Sequence, residues 1–290
     1  QQDRISARGY AWGYIGSVLL LIFNLAMVLK PESFGLGTGD EATLKAMKWS
    51  FVTVGVWWIL FSQYTFYFLP KGNRNNRSVT RGIVLNGFKE LKKVSDFLKN
   101  DLVLKRYLFA FFVYSMAVQT VMLVATYFGE QEIAWTDDGE KTIGLIVSIM
   151  IIQLVAVLGA IWTSKASGRF GNIPVLVVVN GIWLYICIAA YFISTPLQFY
   201  ITAGIVGMVM GGIQSLSRST YSKFLPATKD TTSFFSFYDV TEKIGIVIGM
   251  FLYGFIDQIT GSMRNSVLFL ALFFLIGLSL LLRVPKTEMK

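Results

Sequence analysis

Eight long apolar runs, separated by polar connectors, constrain this chain more than any other feature of its sequence. Most of them reach the roughly 20 residues that a helix needs to cross about 30 Å of hydrocarbon. The hydrophobic content of 54%, with 15% charged residues, is more than a soluble domain can bury. The sequence therefore predicts an all-α polytopic membrane protein with eight transmembrane helices. The runs are residues 9–29, 49–69, 107–128, 143–164, 175–193, 199–216, 234–256 and 267–282.

The positive charges alternate between connectors and predict the orientation of the chain. If the segment before the first run is cytoplasmic, the inner segments hold 20 of the 26 Lys and Arg residues and the outer ones hold five. This is the positive-inside bias, and it predicts that both ends are cytoplasmic. We expect the membrane to be a bacterial inner (cell) membrane. The net charge of +9 then reflects topology and attraction to anionic membrane lipids. Nucleic acid is not an expected partner, because no soluble basic domain is present.

Residues that carry most enzyme chemistry are scarce. The chain has no histidine, and its single cysteine, Cys187, lies inside an apolar run. A disulfide framework, a Cys/His metal site and histidine-dependent catalysis are therefore excluded. No nucleotide-binding Walker A motif occurs. We expect a protein that is not an enzyme and that uses neither cofactor nor metal.

The connector at residues 71–106 divides the runs into two before it and six after it. It contains ten Lys or Arg residues, and apolar residues recur within it at mainly helical spacing from Val79 to Leu98. The pattern predicts a basic amphipathic helix, which either lies at the lipid headgroups or is a solvated connector.

Glycines suggest that the first and seventh runs hold equivalent positions. Gly9, Gly13 and Gly16 follow a cation in the first run, and Gly245 and Gly249 follow Lys243 in the seventh. Glycines four residues apart let two helices approach closely, so we expect these five to pack against neighbouring helices. If spans that lie six apart in the chain are equivalent, these eight helices are the last part of a twelve-helix fold. Residues 1–70 would then be the last two helices of an N-terminal bundle, 71–106 a cytoplasmic linker and 107–290 a C-terminal six-helix bundle.

Charged residues stand next to the seventh run. Residues 244–256 supply only about 20 Å of helix, so the span must include part of the preceding segment 234–243. This draws Asp239, Glu242 and Lys243 into or near the membrane, and Asp239 can pair with Lys243 one turn later. One interpretation is an ion pair that holds two helices together. The other is that Asp239 or Glu242 carries a coupling proton and Lys243 binds a carboxylate.

Three neutral polar residues inside other runs are further candidates for contact with a substrate or coupling ion. They are Gln119, Thr120 and Gln214. The alternative for each is a hydrogen bond that joins neighbouring helices.

Residues 164–172 resemble the short cytoplasmic loop signature of the Major Facilitator Superfamily, Gly-x-x-x-Asp-Arg-x-Gly. Arg169 and Gly171 match that signature, and Gly168 stands where it has aspartate. The resemblance implies a cytoplasmic gate loop that includes Lys165, Gly168, Arg169 and Gly171.

Five further blocks resemble the vacuole-effluxer-like branch of that superfamily, which includes autophagy-related effluxers. They are residues 3–16, 118–120, 211–219, 234–243 and 261–262. The resemblance implies twelve helices in two six-helix bundles that rock about a central site. It also implies a secondary active transporter of a small organic solute, with amino acids among the candidates and protons as a candidate coupling ion. The alternative is a membrane receptor or scaffold that keeps a transporter fold without carrying flux.

Overall fold

The computed structural model describes residues 1–69, 83–228 and 230–285. Within these ranges the regular structure is helical, as the apolar runs predict. A short 3-10 helix, Pro31–Phe34, follows the first long helix. The α-helices are α1 Gln2–Leu29, α2 Asp40–Phe68, α3 Ile83–Leu98, α4 Leu102–Glu132, α5 Asp138–Phe170, α6 Asn172–Ala190, α7 Pro196–Phe224, α8 Thr231–Thr260 and α9 Met263–Leu282.

All of these α-helices except α3 are long and apolar enough to cross a membrane. The prediction of eight membrane helices in a multi-pass membrane protein is confirmed. Several helices extend beyond the apolar runs, and α5 reaches 33 residues, because polar residues at the ends continue the helical hydrogen bonding. Helix α8 is unbroken from Thr231 to Thr260. Residues 234–243 therefore belong to the same helix as the apolar segment after them.

Local capping explains where the central helices begin. The Asp101 carboxylate accepts a hydrogen bond from the backbone N–H of Leu104 and caps α4. Thr195 and Gln198 form a reciprocal capping box at α7, with Pro196 in its first turn. Gly171, at φ 87°, is the one residue between α5 and α6. A backbone angle of that sign favours glycine and lets the chain reverse within one residue.

Helices α5 and α7 pack most closely. A β-carbon added at Gly159 would lie 2.7 Å from the carbonyl carbon of Met208, and one added at Gly211 would lie 2.8 Å from that of Ala156. These distances are shorter than van der Waals contact, so both positions require glycine. The backbones of the two helices therefore touch directly, as small residues allow in membrane helices.

The chain divides into two compact units. One contains Gln1–Tyr14 together with the chain from Val84 onward, and the other contains the described residues between Ile15 and Ile83. Within the second unit, the Thr53 hydroxyl donates to Asn24 Oδ1 at 2.6 Å and joins α1 to α2. The domain boundaries at residues 70 and 106 stay a prediction.

Helix α3 lies within the segment predicted to form a basic amphipathic helix, and the expected start of that helix near Val79 lies outside the described residues. Its side chains Val94 and Leu98 are buried. Phe97 meets the Phe234 ring edge to face, with centroids 5.5 Å apart. The apolar side of the last two turns of α3 therefore packs on the protein rather than on lipid.

Candidate functional site

A small polar pocket lies among α1, α4, α7 and α8. Its volume is about 20 Å³. It brings together three of the residues predicted from the sequence, Gln119, Gln214 and Glu242. The other lining residues are Tyr10, Phe111, Tyr114, Ser115, Val118, Ile213, Ser217 and Tyr238.

Glu242 supplies the charge of this pocket. The Gln119 amide donates to Glu242 Oε1 at 2.9 Å, and Lys243 Nζ lies 3.5 Å from Glu242 Oε2. The side chain of Glu242 is 21% exposed, whereas that of Lys243 is 70% exposed. A mostly buried carboxylate whose shortest hydrogen bond comes from a neutral amide is costly within a membrane helix, which makes it a functional candidate.

Hydroxyl groups and aromatic rings shape the rest of the pocket. The Tyr14 hydroxyl donates to Gln214 Oε1 at 2.7 Å. The Tyr114 hydroxyl lies 2.7 Å from Ser217 Oγ, so these two share a hydrogen bond. The rings of Phe111 and Tyr238 stack with centroids 4.1 Å apart. The pocket therefore combines a carboxylate, two amides and several hydroxyls with flat aromatic walls.

The predicted pair between Asp239 and Lys243 is wrong. Asp239 Oδ1 lies 3.4 Å from Arg218 Nη1 on α7. The Arg218 guanidinium also stands 5.1 Å from the centroid of the Phe235 ring. A long guanidinium held on that ring reaches Asp239 from the neighbouring helix, while Lys243 turns to Glu242. Asp239 and Lys243 do not line the pocket.

Thr120 does not line the pocket either, although it follows Gln119 in the chain. It is fully buried, and its hydroxyl donates to the Met116 carbonyl at 2.7 Å within its own helix. Its side chain faces Gly249 of α8, where an added β-carbon would collide with Thr120 Oγ1. Thr120 therefore takes part in helix packing.

The five glycines predicted to pack closely behave differently. Gly249, and less tightly Gly245, lies against Met116 of α4. Gly16 has Trp57 3.7 Å from the position of an added β-carbon, which is ordinary contact. At Gly9 and Gly13 no atom of the described residues lies within 4 Å of an added β-carbon, so close packing at these two stays a prediction. Among the described residues, the likeness between the first and seventh runs does not extend to their contacts.

The predicted gate loop is mostly helix. Lys165, Gly168 and Arg169 are exposed residues of the last turns of α5, and Gly171 alone connects that helix to α6. The Arg169 guanidinium stands 5.3 Å from the ring centroid of Phe170. The loop expectation is wrong because the helix continues through polar residues up to the glycine turn. A gating role for these four residues stays a prediction.

The carboxylate of Asp3, on α1, reaches the end of α5 that contains Arg169. Asp3 of α1 accepts hydrogen bonds from Ser167 Oγ at 3.0 Å, Asn172 Nδ2 at 3.0 Å and Lys223 Nζ at 2.6 Å. Asn172 also donates to Thr220 at 2.9 Å. We call these five residues the Asp3 cluster. The side chain of Asp3 is 10% exposed and that of Lys223 is 18% exposed, so the ion pair is largely buried. The cluster joins the first turn of α1 to the ends of α5, α6 and α7.

A second ion pair joins α4 and α9. Arg264 Nε donates to Glu132 Oε2 at 2.6 Å, and its other nitrogens donate to the carbonyls of Glu132 and Tyr191. It therefore fastens the start of α9 to the end of α4 and to the connector after α6.

Sequence reasoning missed Asp3, Arg218 and the tyrosines of the pocket. Asp3 precedes the first apolar run, so nothing local marks it as buried. Arg218 lies just past the end of the run 199–216, where its charge fits the inner side of the membrane and its spacing indicates no partner. Each becomes significant through a partner on another helix. Among the described residues, no group of three or more acidic, cysteine or histidine side chains is placed to hold a metal ion.

Known structures resemble this fold. The crystal structure of the Escherichia coli fucose:proton symporter FucP aligns with a TM-score of 0.64 at 13% identity, covering 99% of this chain and 70% of that one. A structure of FucP described as being in the outward conformation aligns with a TM-score of 0.60. At this identity the likeness shows the fold alone, and the fold is that of the Major Facilitator Superfamily.

Sequence comparison agrees over the whole chain. A Bacillus subtilis (strain 168) protein described as an uncharacterized MFS-type transporter, YxiO, is 31% identical, covering 99% of this chain and 64% of that protein. Autophagy-related protein 22 of Yarrowia lipolytica is 24% identical, covering 97% of this chain and 50% of that protein. The chain thus spans between half and two thirds of the length of these relatives. The family model described as "Vacuole effluxer Atg22 like" matches residues 1–290. The chain belongs to this vacuole effluxer family of Major Facilitator proteins.

Proposed function

We propose that this chain is part of a secondary active transporter that moves a small organic solute by alternating access, and that amino acids are the first solutes to test. The polar pocket containing Glu242 is the observation that supports the proposal. It combines a carboxylate with amide, hydroxyl and aromatic groups among four helices of a transporter fold. Because the relatives are longer than this chain, the activity is proposed for the complete protein.

The residues divide into separate roles under this proposal. Glu242 carries the coupling proton or holds a cationic group of the solute, because it is the acidic side chain of the pocket. Gln119 orients the carboxyl group through its amide, and Gln214 supplies a second amide on the facing helix α7. Lys243 remains beside Glu242 as a candidate partner for a solute carboxylate. The charge of Asp239 is compensated by Arg218, so its proposed role is to hold α7 against α8.

The domain and membrane arrangement are also proposals. Residues 1–70 would end an N-terminal bundle, and residues 107–290 would form a six-helix second bundle. Both described ends would be cytoplasmic in a bacterial cell membrane, because the inner connectors carry most of the lysines and arginines. Single cysteines in the α4–α5 and α5–α6 connectors of intact cells test this directly. Labelling of the second but not the first by an impermeant reagent contradicts the orientation.

Transport is tested in proteoliposomes that contain the complete protein, with a panel of amino acids and an imposed proton gradient. Glu242→Gln keeps the size of the side chain and removes its charge, and we expect it to abolish gradient-driven uptake. Glu41→Gln, at an exposed position in the first turn of α2, is the matched control and should transport normally. Equal uptake by the two variants removes Glu242 from the mechanism.

A receptor or scaffold without flux is the competing function. The exposed lysines Lys89, Lys92 and Lys93 on α3 provide a surface that a cytoplasmic partner could use. Absence of flux across a broad solute panel, together with a stable partner that depends on these lysines, would favour the scaffold.

A further inference from the structure

An apolar cavity lies inside the larger unit, and its lining differs in chemistry from that of the polar pocket. Its volume is about 60 Å³, several times the roughly 15 Å³ that a single water molecule needs. Residues from α4, α5, α6, α7 and α9 line it, and none of the described lining residues is charged. Its walls include Val124, Phe128, Ile152, Cys187, Ala203 and Val267.

A groove on the outer surface adjoins this cavity. It runs between α6 and α7, has a volume of about 220 Å³, and includes the exposed side chains Tyr185, Phe192 and Ile201. Three residues line both the groove and the cavity, namely Ile186, Ile193 and Thr202. One layer of side chains therefore separates the interior space from the surface of the helices.

The surroundings suit one class of occupant. Helices α6 and α7 are long and apolar enough to cross a membrane, and the exposed side chains Tyr185, Phe192 and Ile201 between them suit contact with lipid hydrocarbon. Water is disfavoured in the cavity, because an apolar space gives it too few hydrogen-bond partners. We propose that one acyl chain of a membrane phospholipid lies in the groove and inserts past Ile193 into the cavity.

The same residues predict which property of a phospholipid this site recognises. No charged side chain is among the described residues of the groove. The nearby guanidinium of Arg264 is already bound by Glu132 and by the Tyr191 carbonyl. Recognition therefore depends on the length of the acyl chain and is indifferent to the charge of the headgroup.

Cys187 gives a direct test because it is the one cysteine of residues 1–290 and it lines the cavity. Any cysteine of the full-length protein outside these residues is replaced by serine. The delipidated protein is then treated with N-ethylmaleimide in detergent, with and without added dioleoyl or dihexanoyl phospholipids. If only the empty form reacts, dioleoyl lipid at about ten times its dissociation constant slows alkylation about tenfold. The dihexanoyl lipid should not protect, and dioleoyl lipids with neutral and anionic headgroups should protect equally.

Two variants extend the test to lipid retention, measured by native mass spectrometry. Ala203→Phe fills the cavity and should retain one phospholipid fewer than the wild type. Val178→Phe adds a similar ring on the exposed face of α6, away from both spaces, and should retain the wild-type number. The protection of wild-type Cys187 stands as evidence even if Ala203→Phe fails to fold.

Several results overturn the proposal. Cys187 that stays unreactive in delipidated protein shows that the cavity cannot be reached from the groove. Equal protection by short and long chains, or protection that follows headgroup charge, shows that no acyl chain occupies it. Equal lipid retention by Ala203→Phe and Val178→Phe also shows that no acyl chain occupies the cavity.

Discussion

The Asp3 cluster should determine how firmly the first turns of α1 are held. Asp3 makes three hydrogen bonds to α5, α6 and α7, and its ion pair with Lys223 is largely buried. Removing one partner of a buried ion pair costs about 3–5 kcal/mol, because the remaining charge is left without compensation. We therefore expect Asp3→Asn to weaken this attachment by about 3 kcal/mol, the lower end of that range, since Asn172 can still accept from Lys223 at 2.9 Å.

Hydrogen exchange measures this attachment without complete unfolding of a membrane protein. A loss of about 3 kcal/mol corresponds to roughly a hundredfold faster exchange of the amides in the first turns of α1. Ser6→Ala is the matched control in the same helix, because it removes a neutral hydrogen bond of 2.7 Å to the Ser215 carbonyl. A neutral bond contributes about 1 kcal/mol, so exchange should rise only about fivefold.

A double variant separates the ion pair from the other bonds of Asp3. Lys223→Met alone leaves the Asp3 carboxylate without its cation, and combining it with Asp3→Asn removes both charges. We expect the double variant to exchange more slowly than the sum of the two single effects implies. If Asp3→Asn changes exchange no more than Ser6→Ala does, the reasoning from a buried ion pair is refuted.

Three further predictions concern other contacts. Lys243→Met in the complete protein should abolish uptake if Lys243 binds a solute carboxylate, whereas Lys89→Met on α3 should not; unchanged flux removes Lys243 from the mechanism. Gly211→Ala should lower the midpoint of thermal unfolding, at a cost of about 1–3 kcal/mol or more, because its methyl group would overlap the Ala156 carbonyl. Gly168→Ala, where no described atom lies within 4 Å, should be neutral or slightly stabilising, and equal destabilisation by both would contradict the packing of α5 on α7. Leu98→Asp should increase hydrogen exchange throughout α3, because it places a charge in a buried position, and unchanged exchange would show that α3 is not held by its apolar side.

Features that depend on composition and on the spacing of apolar residues along the chain were predictable from the sequence. Apolar runs of membrane length reveal the spanning helices, since a helix satisfies its own backbone within one segment. The thirteen residues after Lys243 are too few to span, so the extension of α8 through residues 234–243 also followed from length alone. Gln119, Gln214 and Glu242 were recognised because polar groups are rare inside such runs.

Partners on different helices could not be predicted in the same way. The local spacing of Asp239 and Lys243 fits an ion pair, yet Arg218 reaches Asp239 from α7. The rotation of each helix about its own axis decides such pairs, and it is fixed by packing rather than by spacing. Gly9 and Gly249 illustrate this, because among the described residues Gly249 lies against Thr120 and Met116 of α4, whereas no atom lies within 4 Å of a β-carbon added at Gly9.

The direct backbone contact between α5 and α7 has a mechanical consequence. Two helices whose backbones are in contact collide if one slides or turns against the other, so α5 and α7 act as one rigid pair. The Asp3 cluster attaches the first turn of α1 to the end of this rigid pair. When that attachment opens, the displacement must therefore appear in α1, while α5 and α7 keep their relative positions and serve as the fixed reference against which it moves.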